Sequence, residues 1–476
     1  MPRITALLLC LLTSLVVADT RENLLGPDEL RADFEQLRSE LYASHIDAFA
    51  DRSRAELDRH FRTLLPELAQ AMPREQAALI FQRWVAFGNV AHARVEDAGL
   101  AFVQHINAGG GLLPFDIRVQ DGEFYISETY PGGEALRVGD RMVEIDGRSI
   151  SEFRAALHEE LSADNAYLAN TLIELDFPRV AWQRLGSLSS VPMKIERQGE
   201  SIEVEIESRP LDSREAAADP DRLRLSWSRR DAGMQSCRTA YLRPGPFYNP
   251  DGEMWDTSAF RSFIDEAFAD FIEQGAERLV IDLRNNPGGD ASFSDHLLAW
   301  IADEPFRFYS RFEVRNSPAA RAANARRLEG EHPNETSLAY AEAYEKHDDG
   351  AVFEFERPFT PPRDGEGFDG EVFVLVNRHS YSNAVTTAMI IQDYGFGTIL
   401  GEPTADLATT LGAMEHFTLR HSGLRVGFPK ARIVRPNGDE RRLGVQPDQR
   451  IATPLIESAD DPVLQSALRI ACGQAD

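Results

Sequence analysis

The sequence predicts a multidomain α+β protein: a small helical unit, then a β-rich unit, then a layered α/β domain. Three observations carry that prediction. Apolar residues recur at intervals of three and four near the start, short alternating runs bracketed by Asp-Gly pairs fill the middle, and strands alternate with helices over the last half. A chain of 476 residues exceeds one ordinary core. With 43% hydrophobic and 27% charged residues it reads as globular throughout.

At the N-terminus, MPRITALLLCLLTSLVVADT places one arginine before an apolar stretch from Ile4 to Ala18. That stretch is too short to span a bilayer and ends on a small residue, so residues 1–18 are expected to be a secretory signal peptide. Cys10 follows Leu9, where lipidation requires a small residue, so a lipoprotein anchor is not expected. The predicted location is therefore exported, periplasmic or secreted, with no stable membrane insertion. Cys237 and Cys472 are the cysteines left after cleavage; export permits a disulfide between them, and two separate thiols are the alternative.

Residues 19–99 are expected to form the helical unit. Apolar spacing in "LRADFEQLRSELYASHIDAF" and "ELDRHFRTLLPELAQAM" supports two helices, broken at Asp51-Arg52-Ser53. Residues 100–210 read as short strands. "LLPFDIRVQDGEFYISETYP" alternates about an Asp-Gly turn, "LRVGDRMVEIDGRSI" leads into the helix "ISEFRAALHEEL", and "VPMKIERQGESIEVEIESRP" closes as a hairpin. Residues 211–235 are polar and read as a linker. From 236 to 476 strands and helices alternate, and 316–349 reads as a helical insertion at or over the site.

The 77 acidic against 50 basic residues give a formal charge of −27. Such a surface repels phosphate backbones and anionic lipid, which excludes nucleic acid as an expected partner. Lysine is confined to Lys194, Lys346 and Lys430. No His/Cys/Asp cluster has metal-ligand spacing, so neither metal nor cofactor is expected.

Two turns could carry chemistry. In "LVIDLRNNPGGD" a hydrophobic strand runs into Gly288-Gly289, where exposed backbone N–H groups could hold an oxyanion. In "VNRHSYSNAV" a strand enters a helix through His379, Ser380, Tyr381 and Ser382, a turn rich in hydroxyls where Gly, Pro, Asn or Asp would be usual.

These segments carry a resemblance. "DLRNNPGG", "VLVNRHSYSNA", "ILGEPT" and "LGVQPDQRI" are similar, in order, to the motifs of the tail-specific (C-terminal processing) serine protease superfamily. "GDRMVEIDG" resembles a PDZ domain, a module that binds a peptide as an added strand. The resemblance implies a PDZ-like unit before a crotonase-like catalytic domain, and a peptidase acting on proteins or peptides. It implies Ser382, rather than Ser380, as nucleophile, with the Gly288 and Asn383 amides as oxyanion hole. In the PDZ-like unit, Gly110 and Gly111 would belong to the carboxylate-binding loop. Many relatives use a lysine base in a "GKG" segment; the matching stretch here, "GEPTADLATTLGA", has none. The sequence therefore resembles the tricorn-like Ser/His/Glu branch, which implies His92 in "FGNVAHARVED" as base. The usual Asp and Gly before that histidine are here Val90 and Ala91. The carboxylate expected before "GVxPD" is Glu440, with Asp439 as its neighbour and alternative, and His379, His416 and His421 are rival bases. A non-proteolytic ligand- or peptide-binding protein on the same fold is the alternative function.

Overall fold

A computed structural model describes residues 24–217, 228–329, 335–456, 458 and 460–474. The expected signal peptide lies outside the described residues.

Helices α1 (Pro27–Ser44), α2 (Arg54–Leu64) and α3 (Arg74–Ala86) form at the start. α2 opens with a reciprocal cap: Ser53 Oγ accepts from the Glu56 amide at 3.3 Å while Glu56 accepts from the Ser53 amide at 2.9 Å. Phe34, Phe61, Phe81 and Trp84 pack face to face and edge to face inside the unit. After α3 a turn through His92 leads into β1 (Arg94–Val95), followed by α4 (Leu100–Asn107).

The β-rich unit comprises β2 (Phe115–Gln120), β3 (Glu123–Thr129), β4 (Arg141–Ile145), β5 (Arg148–Ser149), α5 (Ile150–His158), α6 (Ala166–Leu175), α7 (Phe177–Leu185), β6 (Ser190–Arg197) and β7 (Glu200–Glu207). Its sheet runs β2-β3-β4-β6-β7, with β5 paired to β4. Alternate inward residues such as Phe115, Ile117 and Val119 meet Phe153, Leu157 and Phe177 of the helices in one apolar core. The expected linker is structured at both ends. α8 (Leu211–Ala217) sends Arg214 to the carbonyl of Leu113 (2.9 Å) and to Asp116 (2.6 Å), and β8 (Asp231–Met234) is an edge strand of the next sheet.

The last region builds two sheets. Its elements are β9 (Thr239–Arg243), α9 (Ser258–Glu273), β10 (Arg278–Asp282), α10 (Ala291–Leu298), β11 (Arg311–Arg315), α11 (Pro318–Leu328), α12 (Glu335–Lys346), β12 (Val352–Glu354), β13 (Glu371–Val376), α13 (Asn383–Tyr394), β14 (Thr398–Gly401), β15 (Thr410–Thr418), β16 (Arg425–Val434), β17 (Gln449–Arg450) and α14 (Pro462–Ala471). The first sheet is ordered β17-β14-β13-β10-β9-β8, parallel except where β8 meets β9. Its central strands are apolar on both faces, as a parallel sheet covered by helices requires. The second sheet is antiparallel, β1-β16-β11-β12 with β15 on β16.

That second sheet revises the expected boundaries. β1 from the N-terminal region pairs with β16, Arg94 opposite Gly427 and Val95 opposite Val426. Phe34, Phe81 and Trp84 share one continuous core with Val314, Phe428 and Ala431, and with Ala320 and Tyr340 of the inserted helices α11 and α12. The helical unit and the second sheet are one hydrophobic body, although more than 200 residues separate β1 from the sheet's other strands.

Candidate active site

Asp282 ends β10 inside a charge network. Arg284 donates to it at 2.7–2.9 Å, Arg243 at 3.3 Å and Tyr241 Oη at 2.9 Å. Burial works against ionisation of Asp282, but Arg284 and Arg243 win and bring its pKa down to about 2. Arg284 also grips Asp461, the N-cap of α14, through two bonds of 2.9 and 2.8 Å. The "DLR" residues thus form a rigid base for the turn that follows.

That turn ends in Gly288, with φ 81°. A Cβ there would lie 2.6 Å from both the Asn383 amide nitrogen and the Tyr381 carbonyl, and 2.9 Å from Ser382 Cβ. Only glycine allows this contact. The two turns singled out in the sequence therefore meet at the first residue of α13.

Ser382 occupies the N-cap position of α13 with φ 52° and ψ −119°, a conformation an L-residue rarely adopts. Such strain persists only when neighbours fix it, and it clusters at functional sites. Here Ser380 Oγ donates to the Leu283 carbonyl (2.8 Å) and accepts from the Asn377 amide (3.1 Å), and Tyr381 N–H donates to the Asn286 carbonyl (2.9 Å). Ser380 is fully buried, so its hydroxyl is structural. Ser382 N–H donates to Asp406 Oδ2 at 2.7 Å.

His92 reaches this region because β1 stitches its segment onto β16. Ala91, Ala405 and half-buried Tyr381 pack in one small apolar cluster with Leu168 and Ala169 of α6. Charge couples the same residues: Asp164 acts on His92, Asp406 on Asp164, and both carboxylates on Tyr381. Burial depresses the His92 pKa and Asp164 opposes that. His92 Nδ1 is buried without a hydrogen-bond partner. Burial raises Asp164, against the pull of His92 and Arg442. Burial also pushes Asp406 up to about 6, moderated by the amides of Ser382 and Leu407.

The expected carboxylate is elsewhere. The Glu440 side chain is 52% exposed and pairs with Arg311 and Arg432, both at 2.7 Å. Asp439 is held by Arg441. The loop offers Arg442 instead, which donates to Asp164 at 2.6 Å and to Asp51 at 2.7 Å. The carboxylate beside His92 is thus Asp164, in the loop between α5 and α6 of the β-rich unit. Sequence reasoning missed it because it precedes Asn165, the cap of α6, and looks like a turn residue. Asp406 carries no sequence signal of its own; it lies in "GEPTAD", the stretch where many relatives have a lysine.

The rival bases have other partners. His379 Nε2 lies 2.9 Å from Glu174, His416 pairs with Glu96 at 3.2 Å, and His421 sits 4.0 Å from Glu29. Lys430 donates to Glu415 at 2.7 Å and stands over the Tyr340 ring, inside the core shared with the inserted helices. Among the described residues no group of three His, Cys, Asp or Glu side chains could hold a metal ion, and no helix is long and apolar enough to cross a membrane.

The proposed tail-binding loop is closed. Gly110 N–H donates to the His105 carbonyl at 2.8 Å, Leu112 N–H to the Arg209 carbonyl at 2.7 Å, and Pro114 has no N–H. The space between this loop and α7, bordered by Leu112, Leu113, Trp182 and Leu185, is about 10 Å³. At the β2 edge, Val119 N–H is taken by Glu174 (2.6 Å) and its carbonyl by Arg378 (2.9 Å) of the Ser382 turn. The Gly110 and Leu112 amides, and that of Val119 at the β2 edge, are thus already engaged within the protein.

Comparison with known proteins agrees with the fold. Residues 240–451 match the model of Peptidase family S41. No curated protein matches in sequence. Among solved structures, mature CPAF is similar with a TM-score of 0.66 at 15% identity, covering 94% of this chain and 97% of that one. Mature CPAF complexed with lactacystin is similar with a TM-score of 0.65 at 14% identity, covering 93% and 98%. The fold is thus one that mature CPAF shares, and residues 240–451 of this chain's α/β region carry the S41 match. A β-rich unit precedes the matched segment, and the likeness to CPAF runs the length of the chain.

Proposed function

We propose that the protein is an exported serine endopeptidase with Ser382 as nucleophile, His92 as general base and Asp164 as the carboxylate that orients the imidazole. The observation that carries this reading is the strained Ser382 backbone, held at a helix start against Gly288. Nucleophilic serines are exposed on strand-to-helix elbows of this kind. A serine at its free pKa needs a base. The depressed His92 pKa keeps the imidazole neutral, as a base must be.

In the reaction, His92 takes the Ser382 hydroxyl proton as Oγ bonds to the scissile carbonyl carbon. The carbonyl π electrons move onto oxygen, and the Asn383 amide, at the first helical position with no acceptor in its own helix, donates to it. Gly288 N–H now donates to Asn286 Oδ1 at 2.9 Å, so it becomes the second donor by exchanging that partner for substrate. Collapse expels the amine, which takes the proton from His92. Water, deprotonated by the same imidazole, then hydrolyses the acyl-enzyme. Asp164 stabilises the imidazolium through its charge, which acts on His92 without a hydrogen bond to Nδ1 in this structure.

The committed Gly288 amide favours a second reading, a binding protein on the same fold. A fluorophosphonate probe separates the two. A peptidase labels at Ser382 and loses the label in Ser382→Ala and in His92→Ala; a binder labels in none of these forms.

A further inference from the structure

We propose that Asp406 is a positioning residue for the nucleophile: its buried carboxylate clamps the Ser382 amide and holds the elbow in its reactive shape. The proposal rests on Ser382 being the nucleophile.

Asp406 is 2% exposed. One carboxylate oxygen accepts from Ser382 N–H at 2.7 Å and the other from Leu407 N–H at 2.9 Å. Thr404 Oγ1 donates to the Asp406 backbone carbonyl at 2.9 Å and accepts from the Val445 amide at 2.9 Å, which fixes the segment that carries the acid. Besides the two amides, the ionisable groups that face Asp406 are Tyr381 and Asp164.

The neighbours of Ser382 are held by their own contacts: Ser380 by Leu283 and Asn377, Tyr381 by Asn286, and Asn383 through its side chain by Ser294 at 2.8 Å. At Ser382 itself the acceptor is Asp406. A serine at φ 52° stores backbone strain that its surroundings must hold in place. Burying a carboxylate with two amide partners and no facing cation is costly, so the site retains it at the expense of stability. An acid kept at such a cost directly on the nucleophile's amide acts on the geometry of that nucleophile. Asp406 touches neither the scissile bond nor the transferred proton; it acts through Ser382.

The test uses the full chain and a fluorophosphonate probe. Asp406→Asn keeps one acceptor and the shape but loses the charge. At about pH 8 its labelling rate should fall on the order of 10²-fold, by more than the fall in its unfolding midpoint accounts for, since one of the two buried amides loses its acceptor. A neutral carboxyl resembles the amide, so the ratio of wild-type to variant rates should shrink as the pH is lowered from about 8 to about 5. Because the substitution also removes a charge that acts on Asp164, and through it on His92, the ratio is read together with the amide signal below. Equal rates at every pH, or a ratio that stays constant, would overturn the proposal. A loss of rate that tracks a loss of stability would overturn it too, since a structural role predicts that pattern.

A second measurement does not depend on activity. With serine-selective ¹⁵N labelling, and Ser382→Ala to assign the signal, the Ser382 amide proton should lie at low field in wild type and move upfield as Asp406 takes up its proton. If that proton does not respond to pH, the clamp is absent. Wild type that fails to label while its amide titrates leaves the clamp standing and removes the peptidase reading.

Discussion

Cys237 and Cys472 are bonded, with Cα atoms 5.8 Å apart and 235 residues between them. Closing so long a loop in the unfolded chain removes entropy equivalent to about 5 kcal/mol at 25 °C, the upper value for this crosslink. The bond ties α14 to the segment before β9. The helix itself buries Val463, Ala467 and Ala471 against Leu375, Leu400 and Val280. At its other end Asp461 holds Arg284, four residues before Gly288. Loss of the crosslink should therefore act at two levels. In Cys237→Ser/Cys472→Ser, or after reduction, thermal unfolding should move to lower temperature. Amide exchange over 460–474 should also accelerate before the rest of the molecule opens, because a ten-residue terminal helix is marginal without its anchor. Probe labelling at Ser382 should fall with the fraction of helix released, since Arg284 then loses one of its two carboxylates. Hydrogen exchange by mass spectrometry and labelling on the same samples decide the matter. Unchanged protection over 460–474 together with an unchanged unfolding temperature would refute the reasoning.

Ser380→Ala should cost about 1–3 kcal/mol of stability, since it leaves the buried Asn377 amide without its acceptor; denaturant unfolding checks this, and a variant as stable as wild type would show that the turn has another support. Asp164→Asn should lower probe labelling at pH 7 by on the order of 10²-fold or more, whereas Glu440→Gln should leave it unchanged; equal losses would return the orienting role to Glu440. The acid limb of activity should lie below the ordinary imidazole value of about 6.5, because burial depresses His92 and the base stays neutral until the pH falls through that lowered value. The same shift should make stability fall with pH below about 6.5, where the unfolded chain takes up a proton that the folded imidazole refuses. Free and amidated C-terminal peptides should bind the full chain indistinguishably, since Gly110, Leu112 and Val119 already have their partners; a preference for the free carboxylate in a titration would show that the loop opens.

Residues whose role is local were legible in the sequence. The glycines of "NNPGG" and the hydroxyl-rich turn announce themselves by composition, and the structure brings Gly288, Ser382 and Asn383 together. The β-rich unit was legible for the same reason, its strands being set by alternation and Asp-Gly turns. What the sequence concealed depends on pairing across long separations. The two-residue strand Arg94–Val95 has no signal of its own and is defined by β16, more than 300 residues later. Asp164 sits before a helix cap, where an aspartate is ordinary, and only the fold turns it toward His92. The irregular loop before "GVQPD" presents Arg442 to Asp164 and turns Glu440 to Arg311 and Arg432, a difference set by non-repeating backbone that no sequence period reports.

The origin of the site residues bears on how the enzyme is assembled. His92 is supplied by the helical unit, Asp164 by the β-rich unit, and Ser382 and Asp406 by the α/β layer. Arg378, four residues before Ser382, is bound to Glu174 at 3.1 Å and to the Val119 carbonyl, both in the β-rich unit, as well as to Glu402 at 3.0 Å. Glu174 is itself buried; burial raises its pKa, but His379, Arg118 and Arg378 prevail and hold it ionised. A buried carboxylate held by two arginines and a histidine is tolerated only while they are in place, because removing one partner of a buried pair leaves an uncompensated charge. Docking of the β-rich unit therefore does two things at once: it delivers Asp164 to His92 and completes the support of the Ser382 turn. The second sheet delivers His92 by the same logic, since β1 is held in register only when the N-terminal core has closed on Phe428 and Ala431. On the proposed mechanism, catalytic competence would accordingly be a property of the three units together.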